Sequence, residues 1–240
     1  ELVGLLNEYL TAMCDIIAES GGTIDKFEGD AIIGFWGAPL EQPDHAVRAC
    51  YSIIDQQKFL VPFRQEQIDK GWLPVEFTVR MGVNTGMMIV GNMGSSQRMD
   101  YTMMGDAVNL AARLEGANKF YKNHQMISQS TYEQAKDFID TRELDTIRVV
   151  GKNEPVTVYD VIDRKNQTSG VMADVVPIYL QGLQKYKELD FVGAQQLFRK
   201  ALTVLETDGP SITYVDRCQH FIDNPPADDW DRVWTHTEKG

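Results

Sequence analysis

The chain has 240 residues, 43% of them hydrophobic and 24% charged, and a formal net charge of −12. This length can bury a core as one large domain or as two smaller ones. The acidic charge argues against non-specific nucleic-acid binding, so no nucleic-acid partner is expected. No apolar run reaches the ~18 residues of a membrane helix, so this chain is expected to make no membrane contact. The three cysteines, Cys14, Cys50 and Cys218, lie far apart in helical patterns, which favours core packing in a reducing compartment over disulfides or metal binding.

An amphipathic helix opens the chain and ends at Gly21-Gly22, with no strand before it. A chain that begins inside a helix is expected to be a fragment of a longer protein. The first of two informative stretches follows this helix directly.

This stretch has the pattern of a β-hairpin. Thr23–Phe27 has the β-branched and aromatic residues of a strand, Glu28–Asp30 forms a tight turn, and Ala31–Trp36 is a short apolar run. The turn places Asp30 at the start of a buried strand, where an unpaired carboxylate is costly. A divalent metal ion or Lys26 could be its partner, or Asp30 could simply cap its own turn.

Helices and strands alternate through the rest of the first 163 residues. A helix is predicted from Pro43-Asp44 towards Lys70, with a kink or break at Pro62. The other predicted elements are strands over Val75–Val83, Met87–Met93, Gln125–Ser128, Thr141–Val149 and Val156–Ile162, an extended segment over Met99–Thr102, a loop over Asn92–Arg98 and a short helix over Ser130–Lys136. This alternation predicts an α+β layer, a sheet that carries helices on one face.

The second informative stretch is Asp100–Glu115. Thr102 lies on the extended segment, and a helix begins after Gly105-Asp106. Asn109 and Arg113 are four residues apart, so they share one face of this helix, off its apolar stripe. No carboxylate stands three or four residues from Arg113, which weakens its interpretation as half of an intrahelical ion pair. A solvated arginine and a polar surface asparagine remain possible.

Three motifs in these stretches resemble the catalytic domain of class III nucleotidyl cyclases. They are Lys-x-x-Gly-Asp at Lys26–Asp30, Arg-Met-Gly-Val-Asn-Thr-Gly at Arg80–Gly86 and Gly-Asp-Ala-Val-Asn-Leu-Ala-Ala-Arg at Gly105–Arg113. The resemblance covers roughly residues 1–163, including a closing Val-Gly-Lys-x-x-Pro-Val-x-Val-Tyr strand. It implies a ferredoxin-like βαββαβ-type sheet with added helices. It also implies a homodimer with active sites at the interface.

The resemblance implies an adenylyl cyclase that converts ATP to 3′,5′-cyclic AMP and pyrophosphate with two divalent metal ions, Mg²⁺ or Mn²⁺. Asp30 matches the second of two metal-binding aspartates. Arg113 matches the residue that stabilises charge on the pentavalent phosphate. Asn109 matches the residue that orients the ribose, and Arg80 matches an arginine that grips the terminal phosphates.

Lys26 and Thr102 match the base-recognition pair. Lysine only donates hydrogen bonds and threonine can accept one, which suits N1 and the 6-amino group of adenine. Guanine presents the reverse pattern, and guanylyl-specific relatives carry an acidic residue at the position of Lys26. In the resemblance, Asp30 comes from one protomer, whereas Lys26, Thr102, Asn109 and Arg113 come from the other.

The chain departs from the family pattern in two places. The opening strand and its metal-binding aspartate are absent, so this fragment alone is expected to be inactive. Val150 stands where the family often has a phosphate-binding lysine, and Lys152 lies two residues further on.

The alternative to an adenylyl cyclase is a catalytically silent module that dimerises or binds nucleotide. A diguanylate cyclase or polymerase-type palm is a weaker alternative, because the Gly-Gly-Asp-Glu-Phe signature is absent.

The composition changes after the predicted catalytic domain. The expected organisation is a catalytic domain over 1–163, a linker over 164–173 and a helical tail over 174–240. Two amphipathic helices broken near Asp190 resemble a tetratricopeptide hairpin, and a third helix is predicted over Ile212–Ile222. One repeat is too few for a solenoid, so the tail is expected to pack on the domain or pair with a partner; a plain helical cap is an equal alternative.

The end of the chain, Asp228–Trp234, resembles the tail of bacterial cyclases that carry a membrane-anchored extracytoplasmic sensor upstream. Trp230 and Trp234 are four residues apart and could dock as one apolar face. The expectation is therefore a cytoplasmic domain of a bacterial membrane-anchored protein.

Overall fold

The structure is a computed structural model that describes residues 2–71, 77–148, 155–227 and 229–234. Its helices are α1 (Leu2–Glu19), α2 (His45–Asp69), α3 (Asp106–Ala117), a 3₁₀ helix (Asn118–Tyr121), α4 (Gln129–Ala135), α5 (Val171–Lys187), α6 (Phe191–Val204) and α7 (Gly209–Asp223). Its strands are β1 (Thr23–Glu28), β2 (Ala31–Phe35), β3 (Met81–Val83), β4 (Ile89–Ser95), β5 (Arg98–Met104), β6 (Gln125–Ser128), β7 (Ile139–Ile147) and β8 (Val156–Arg164).

The strands form three sheets. β1 and β2 make an antiparallel hairpin, as do β4 and β5, and a four-stranded sheet has the order β3-β6-β8-β7. In that sheet β3 runs parallel to β6, and the other neighbours are antiparallel. The predicted α+β class is therefore confirmed.

Two apolar cores lie on these sheets. The first is built from α1 and α2, whose spaced apolar residues, such as Met13 and Cys50, have no exposed surface. The second lies between α3 and strands β6, β7 and β8, with Leu114, Met126 and Leu144 fully buried. Burial of this apolar face is what holds α3 against the sheet.

Several predicted elements are wrong in detail. Of the kink or break predicted at Pro62, the break is absent from α2, because Leu60 and Phe63 on either side are buried in the first core and packing outweighs the lost backbone hydrogen bond. The kink stays a prediction. The predicted loop over Asn92–Arg98 is instead largely strand, since β4 continues to Ser95 and pairs with β5.

The predicted strand over Val75–Val83 is much shorter. Only Met81–Val83 is strand, residues 77–80 are irregular, and residues 72–76 lie outside the described part of the chain.

The helical tail has its own core and packs on β7, the edge strand of the large sheet. Tyr179, Phe198 and Tyr214 are fully buried between its helices. The hydroxyls of Tyr179 and Tyr214 donate to the carbonyl of Leu144 in β7, at 3.3 and 2.7 Å. The tail therefore packs on the domain, one of the two expected arrangements, while its likeness to a tetratricopeptide hairpin stays a prediction.

Residues 229–234 return to the tail and to the sheet. Trp230 packs on the ring of Phe221 with centroids 4.6 Å apart, and Trp234 lies 5.5 Å from the same ring. Trp234 also forms a β-bridge with Ile147, the last residue of β7. The two tryptophans thus dock on one apolar surface, as their spacing suggested.

The described helices differ in length, and the longest of them, α2, has 25 residues. Across the described ranges, none of them has both the length and the apolar character that crossing a membrane would require.

Candidate active site

The β1–β2 hairpin carries Lys26 and Asp30. Gly29 supplies the positive φ of the turn, at 65°, and Asp30 lies next to it, exposed to solvent. The expectation that Asp30 begins a buried strand is therefore wrong, because the hairpin tip projects beyond the core. Asp30 does stay close enough to α1 for its charge to act there: burial, and then the charge of Asp30, raise the pKa of Tyr9 to about 12.

Lys26 does not pair with Asp30. Its Nζ lies 3.5 Å from Oδ2 of Asp25, whose side chain is only 3% exposed. A bulge between Ile24 and Lys26 shifts the register of β1. The alternation of residue types in the sequence does not indicate this bulge, so the contact between Asp25 and Lys26 was not predicted.

Thr102 lies on β5, opposite Gly91 of β4. β5 in turn contacts β1, the strand of Lys26, and the Phe35 and Tyr101 rings are 6.2 Å apart nearby. The Oγ1 atom of Thr102 is buried and has no hydrogen-bond partner among the described residues. An orphaned buried hydroxyl is costly, and a ligand that donates to it or accepts from it would remove that cost.

Helix α3 presents Asn109 and Arg113 to solvent. Within the described part of the chain, no carboxylate pairs with Arg113, as its helical neighbours predicted. The helix lies very close to β3 at Gly82: a Cβ there would come within 2.3 Å of the carbonyl oxygen of Ala111 and the amide nitrogen of Glu115. This close approach fixes the distance between α3 and the sheet.

Arg80 has a partner that the sequence did not reveal. Its Nε lies 2.9 Å from Oε1 of Glu115 on α3, and both side chains are 43% exposed. The two residues are 35 positions apart, so no local pattern could have shown the pair. A half-exposed ion pair of this kind contributes at most ~1 kcal/mol, so Arg80 can leave Glu115 for a phosphate at small cost.

The carboxylates do not gather into a metal centre. Among the described residues, no group of three or more His, Cys, Asp or Glu side chains is placed to hold a metal ion. Asp30 is therefore not part of such a group within the described ranges. Val150 and Lys152, the positions considered for phosphate binding, lie outside the described residues.

A cavity of about 530 Å³ separates the small hairpin from the large sheet. Gly34 and Phe35 of β2 line one side, Gly82 and Val83 of β3 line the other, and Ala107 of α3 contributes nearby. Within the described residues, β2 and β3 are edge strands of separate sheets. The cavity is thus bounded by the edges of two strands, β2 and β3.

The sequence profile described as "Adenylate and Guanylate cyclase catalytic domain" matches residues 1–162. This chain belongs to that family. The match includes α1 and ends within β8, so it contains both hairpins and α3. The motif-based resemblance and the α+β fold of the cyclase domain are confirmed together.

Individual relatives agree with the family. Adenylate cyclase 1 of Rhizobium meliloti is 37% identical over 162 residues, which are 68% of this chain and 24% of that protein. The terminal-differentiation specific adenylate cyclase of Dictyostelium discoideum is 34% identical over 226 residues, 91% of this chain and 10% of that protein. The chain thus spans a quarter or less of the length of these two relatives.

Solved structures of both nucleotide classes resemble the cyclase domain. The adenylyl cyclase CyaB from P. aeruginosa has a TM-score of 0.63 and 40% identity, covering 70% of this chain and 85% of that chain. The guanylyl cyclase Cya2 has a TM-score of 0.62 and 36% identity, covering 69% of this chain and 82% of that chain. Likeness of fold therefore does not decide which base is bound.

The Dictyostelium match has a further implication. It covers 91% of this chain, whereas the family profile ends at residue 162, so the match includes much of the helical tail. The tail is therefore shared with at least this relative.

Proposed function

We propose that the chain is the catalytic domain of an adenylyl cyclase, which converts ATP to 3′,5′-cyclic AMP and pyrophosphate in signal transduction. The ribose 3′-oxygen bonds to the α-phosphorus, the bond from that phosphorus to the pyrophosphate oxygen breaks, and the 3′-hydroxyl loses its proton. The observation that carries the choice of ATP is the adjacency of β1 and β5, which bear Lys26 and Thr102, together with the unpartnered Oγ1 of Thr102.

Base recognition follows from hydrogen-bonding capacity. Lys26 donates to N1 of adenine, and Thr102 accepts from the 6-amino group. The 6-amino donor would satisfy the buried Thr102 hydroxyl that has no partner in the described residues. With guanine, Lys26 would face the N1 donor, and two donors would then oppose each other.

The two residues on α3 serve the phosphate and the ribose. Arg113 stabilises the negative charge that develops on the α-phosphate in the transition state, and its lack of a carboxylate partner among the described residues leaves its charge available. Asn109, one turn earlier on the same face, orients the ribose. Arg80 grips the terminal phosphates by giving up its exposed pair with Glu115.

Members of this family depend on divalent metal ions. We assign Asp30 as one ligand of two Mg²⁺ or Mn²⁺ ions, whose chemistry is to activate the hydroxyl and neutralise the phosphates. The described residues alone do not complete such a site. A further strand that carries an aspartate and lies between β2 and β3 would supply the missing ligand and fill the cavity of about 530 Å³.

The active form is a homodimer, with Asp30 from one protomer and Lys26, Thr102, Asn109 and Arg113 from the other. Its support is the exposure of Lys26, Asp30 and Arg113 in the single chain, as expected for a site completed by a partner. The β4–β5 hairpin and the segment just before it also expose large apolar side chains that a partner would cover: Met87, Ile89, Met99 and Met104. In this proposal the longer protein is bacterial and anchored in the membrane by an upstream sensor, with this domain in the cytoplasm.

The silent module remains a second candidate, favoured by the lack of a metal cluster among the described residues.

Purified full-length protein should be assayed with ATP and with GTP, in Mg²⁺ and in Mn²⁺, with the cyclic nucleotide identified by mass spectrometry. We expect cyclic AMP from ATP and little product from GTP. No product from either nucleotide supports the silent module, and faster use of GTP overturns the base assignment.

Two charge-reversal variants sharpen this assay. Lys26→Glu should lower kcat/KM for ATP by about 10-fold or more, as expected for the loss of a charge-assisted hydrogen bond, and raise the ratio of GTP to ATP use. Lys200→Glu makes the same change of charge on an exposed position of α6 and should leave both values unchanged.

A further inference from the structure

Beyond the reaction itself, we propose that the helical tail, defined as α5–α7 with residues 229–234, positions helix α3 through a buried chain of polar contacts. Asp208 and Arg217 are its positioning residues. The inference rests on the proposed function, because α3 carries Asn109 and Arg113.

The first part of the polar chain joins the tail to the large sheet. Asp208 is the N-cap of α7, and its Oδ2 accepts from the backbone nitrogen of Ser211 at 3.2 Å. Its Oδ1 accepts from Nη1 of Arg142 in β7 at 2.7 Å, and Nε of Arg142 donates to Oδ2 of Asp160 in β8 at 2.9 Å. Asp208 and Arg142 are 3% exposed and Asp160 is 5% exposed, so these three paired charges are shielded from solvent.

The second part runs from the sheet to α3. Nδ2 of Asn123 donates to Oδ1 of Asp160 at 3.1 Å and to Oδ1 of Asn118 at 3.2 Å. Nδ2 of Asn118 then donates to the carbonyl oxygens of Leu114, in the last turn of α3, at 3.1 Å, and of Met81, in β3, at 2.9 Å. The chain of contacts is therefore continuous from the tail to the C-terminal end of the catalytic helix.

A second route reaches the 3₁₀ helix that follows α3. Nη1 of Arg217 in α7 makes a short hydrogen bond to Oδ2 of Asp145, which also accepts from the hydroxyl of Tyr121 at 2.6 Å. Nη2 of Arg217 donates to the same Tyr121 hydroxyl at 3.2 Å. Arg217, Asp145 and Tyr121 are all buried, so these contacts are shielded from water. Asp145 also accepts from the backbone nitrogen of Thr146 at 2.7 Å.

The backbones of the tail and the 3₁₀ helix are also in direct contact. A Cβ on Gly209 would lie 2.2 Å from the carbonyl oxygen of Lys122 and 2.6 Å from that of Tyr121. Oγ1 of Thr213, one turn along α7, donates to the carbonyl of Phe120 at 3.0 Å. The start of α7 therefore rests on the segment that leaves α3, with no room for a side chain between them.

Through these contacts the tail affects the position of α3 as well as the stability of the fold. A buried charge must stay paired, so a shift of α7 relative to β7 and the 3₁₀ helix breaks several contacts at once. Asn109 and Arg113 are held only through the placement of α3, and an error of about 1 Å in a reacting group can cost about 100-fold in rate. The sharing of the tail with the Dictyostelium relative agrees with such a role.

The test compares variants of the full-length protein by steady-state kinetics and by hydrogen exchange. Asp208→Ser keeps an oxygen that can cap α7 but removes the carboxylate that faces Arg142. We expect kcat to fall about 10-fold or more while KM for ATP changes less than about 3-fold, and the amides of residues 107–117 to exchange faster. Phe191→Leu is the control, since its ring contacts Tyr186, Phe221 and Trp230 all lie within the tail. It should lower the melting temperature with kcat nearly unchanged.

A milder pair covers the case in which Asp208→Ser does not fold. Thr213→Val removes the hydroxyl that reaches Phe120, whereas Thr203→Val removes a hydroxyl that donates within α6, to the carbonyl of Lys200 at 2.7 Å. We expect Thr213→Val alone to lower kcat, by about 3-fold, and to speed exchange in α3.

The outcomes separate the two proposals. A wild-type protein with no cyclase activity contradicts the proposed function, and hydrogen exchange in α3 still tests the role of the tail. If the wild type is active, and the Asp208 and Thr213 variants change neither kcat nor exchange in α3, the positioning role is overturned. Equal losses of kcat in the control variants, at equal losses of melting temperature, would overturn it as well.

Discussion

At the scale of single residues, Lys26 and Arg80 are both half-exposed and each contacts a carboxylate, that of Asp25 and that of Glu115 respectively. Three short motifs led to Lys26, Thr102 and Arg113, because their spacing in the chain is visible in the sequence. Partners that lie far apart in the chain were not visible, as Glu115 beside Arg80 shows. The burial of Asp25 next to Lys26 depends on a bulge, which alternation of residue types does not reveal.

Arg113 is predicted to act mainly in the transition state. Arg113→Ala should lower kcat by about 100-fold or more with a much smaller change in KM for ATP, because the additional negative charge that it stabilises develops on the α-phosphate only in the transition state. Steady-state kinetics of the full-length protein measure both values. Arg199→Ala, at an exposed position of α6, serves as the control. A rise in KM with kcat intact would assign Arg113 to ground-state binding instead.

The buried cysteines give a prediction that depends on pH. Burial raises the pKa of Cys50 and of Cys218 to about 12, from an ordinary value of 9.0. Both thiols should therefore stay protonated and unmodified by iodoacetamide at pH 8 in the folded chain, whereas Cys14, which is partly exposed, should react first. Peptide mapping by mass spectrometry checks this, with urea-unfolded protein as the fully labelled control.

The raised pKa values of these two thiols also make the stability of the fold depend on pH. Because the folded-state pKa is raised, the linked stability is fully present below pH 9.0 and is lost as the pH rises towards 12. Rapid labelling of Cys218 in folded protein at pH 8 would contradict the packing of the tail described above.

At the scale of elements, strong local patterns gave the helices and several strands, and tertiary packing explains the differences. α2 passes through Pro62 because the helix is buried on both sides of it, and β4 extends because β5 pairs with it to Ser95. The close contact of α3 with β3 at Gly82 left no more signal in the sequence than one glycine in a strand.

Gly82 therefore offers a test of how α3 is placed. Gly82→Ala should lower the free energy of unfolding by ~1–3 kcal/mol, because its Cβ would collide with the backbone of α3. Gly116→Ala, within α3, meets nothing within 4 Å among the described residues and should be neutral or stabilising by up to ~1 kcal/mol. Urea denaturation followed by circular dichroism compares the two. Equal stability of the variants would show that α3 does not lie as close to β3 as described.

At the scale of the whole molecule, the family of the domain could be predicted, but the contacts of the tail with the domain could not. Arg142 and Asp208 are 66 residues apart, and Arg217 and Asp145 are 72 apart, so no periodic pattern links them. What the sequence did show was a tail too small to stand alone, which agrees with its docking on β7.

The proposed homodimer can be tested directly, because each of its two sites would take residues from both protomers. Full-length Asp30→Ala and Arg113→Ala proteins should each be inactive as homodimers. A heterodimer of the two would hold one site with both lesions and one with neither. The central measurement is therefore cyclic AMP formation by the mixed proteins, with native mass spectrometry to count the mixed dimers. We predict that activity returns to about half of the wild-type value per heterodimer. Mixed dimers that form and remain inactive would contradict a site shared between two protomers.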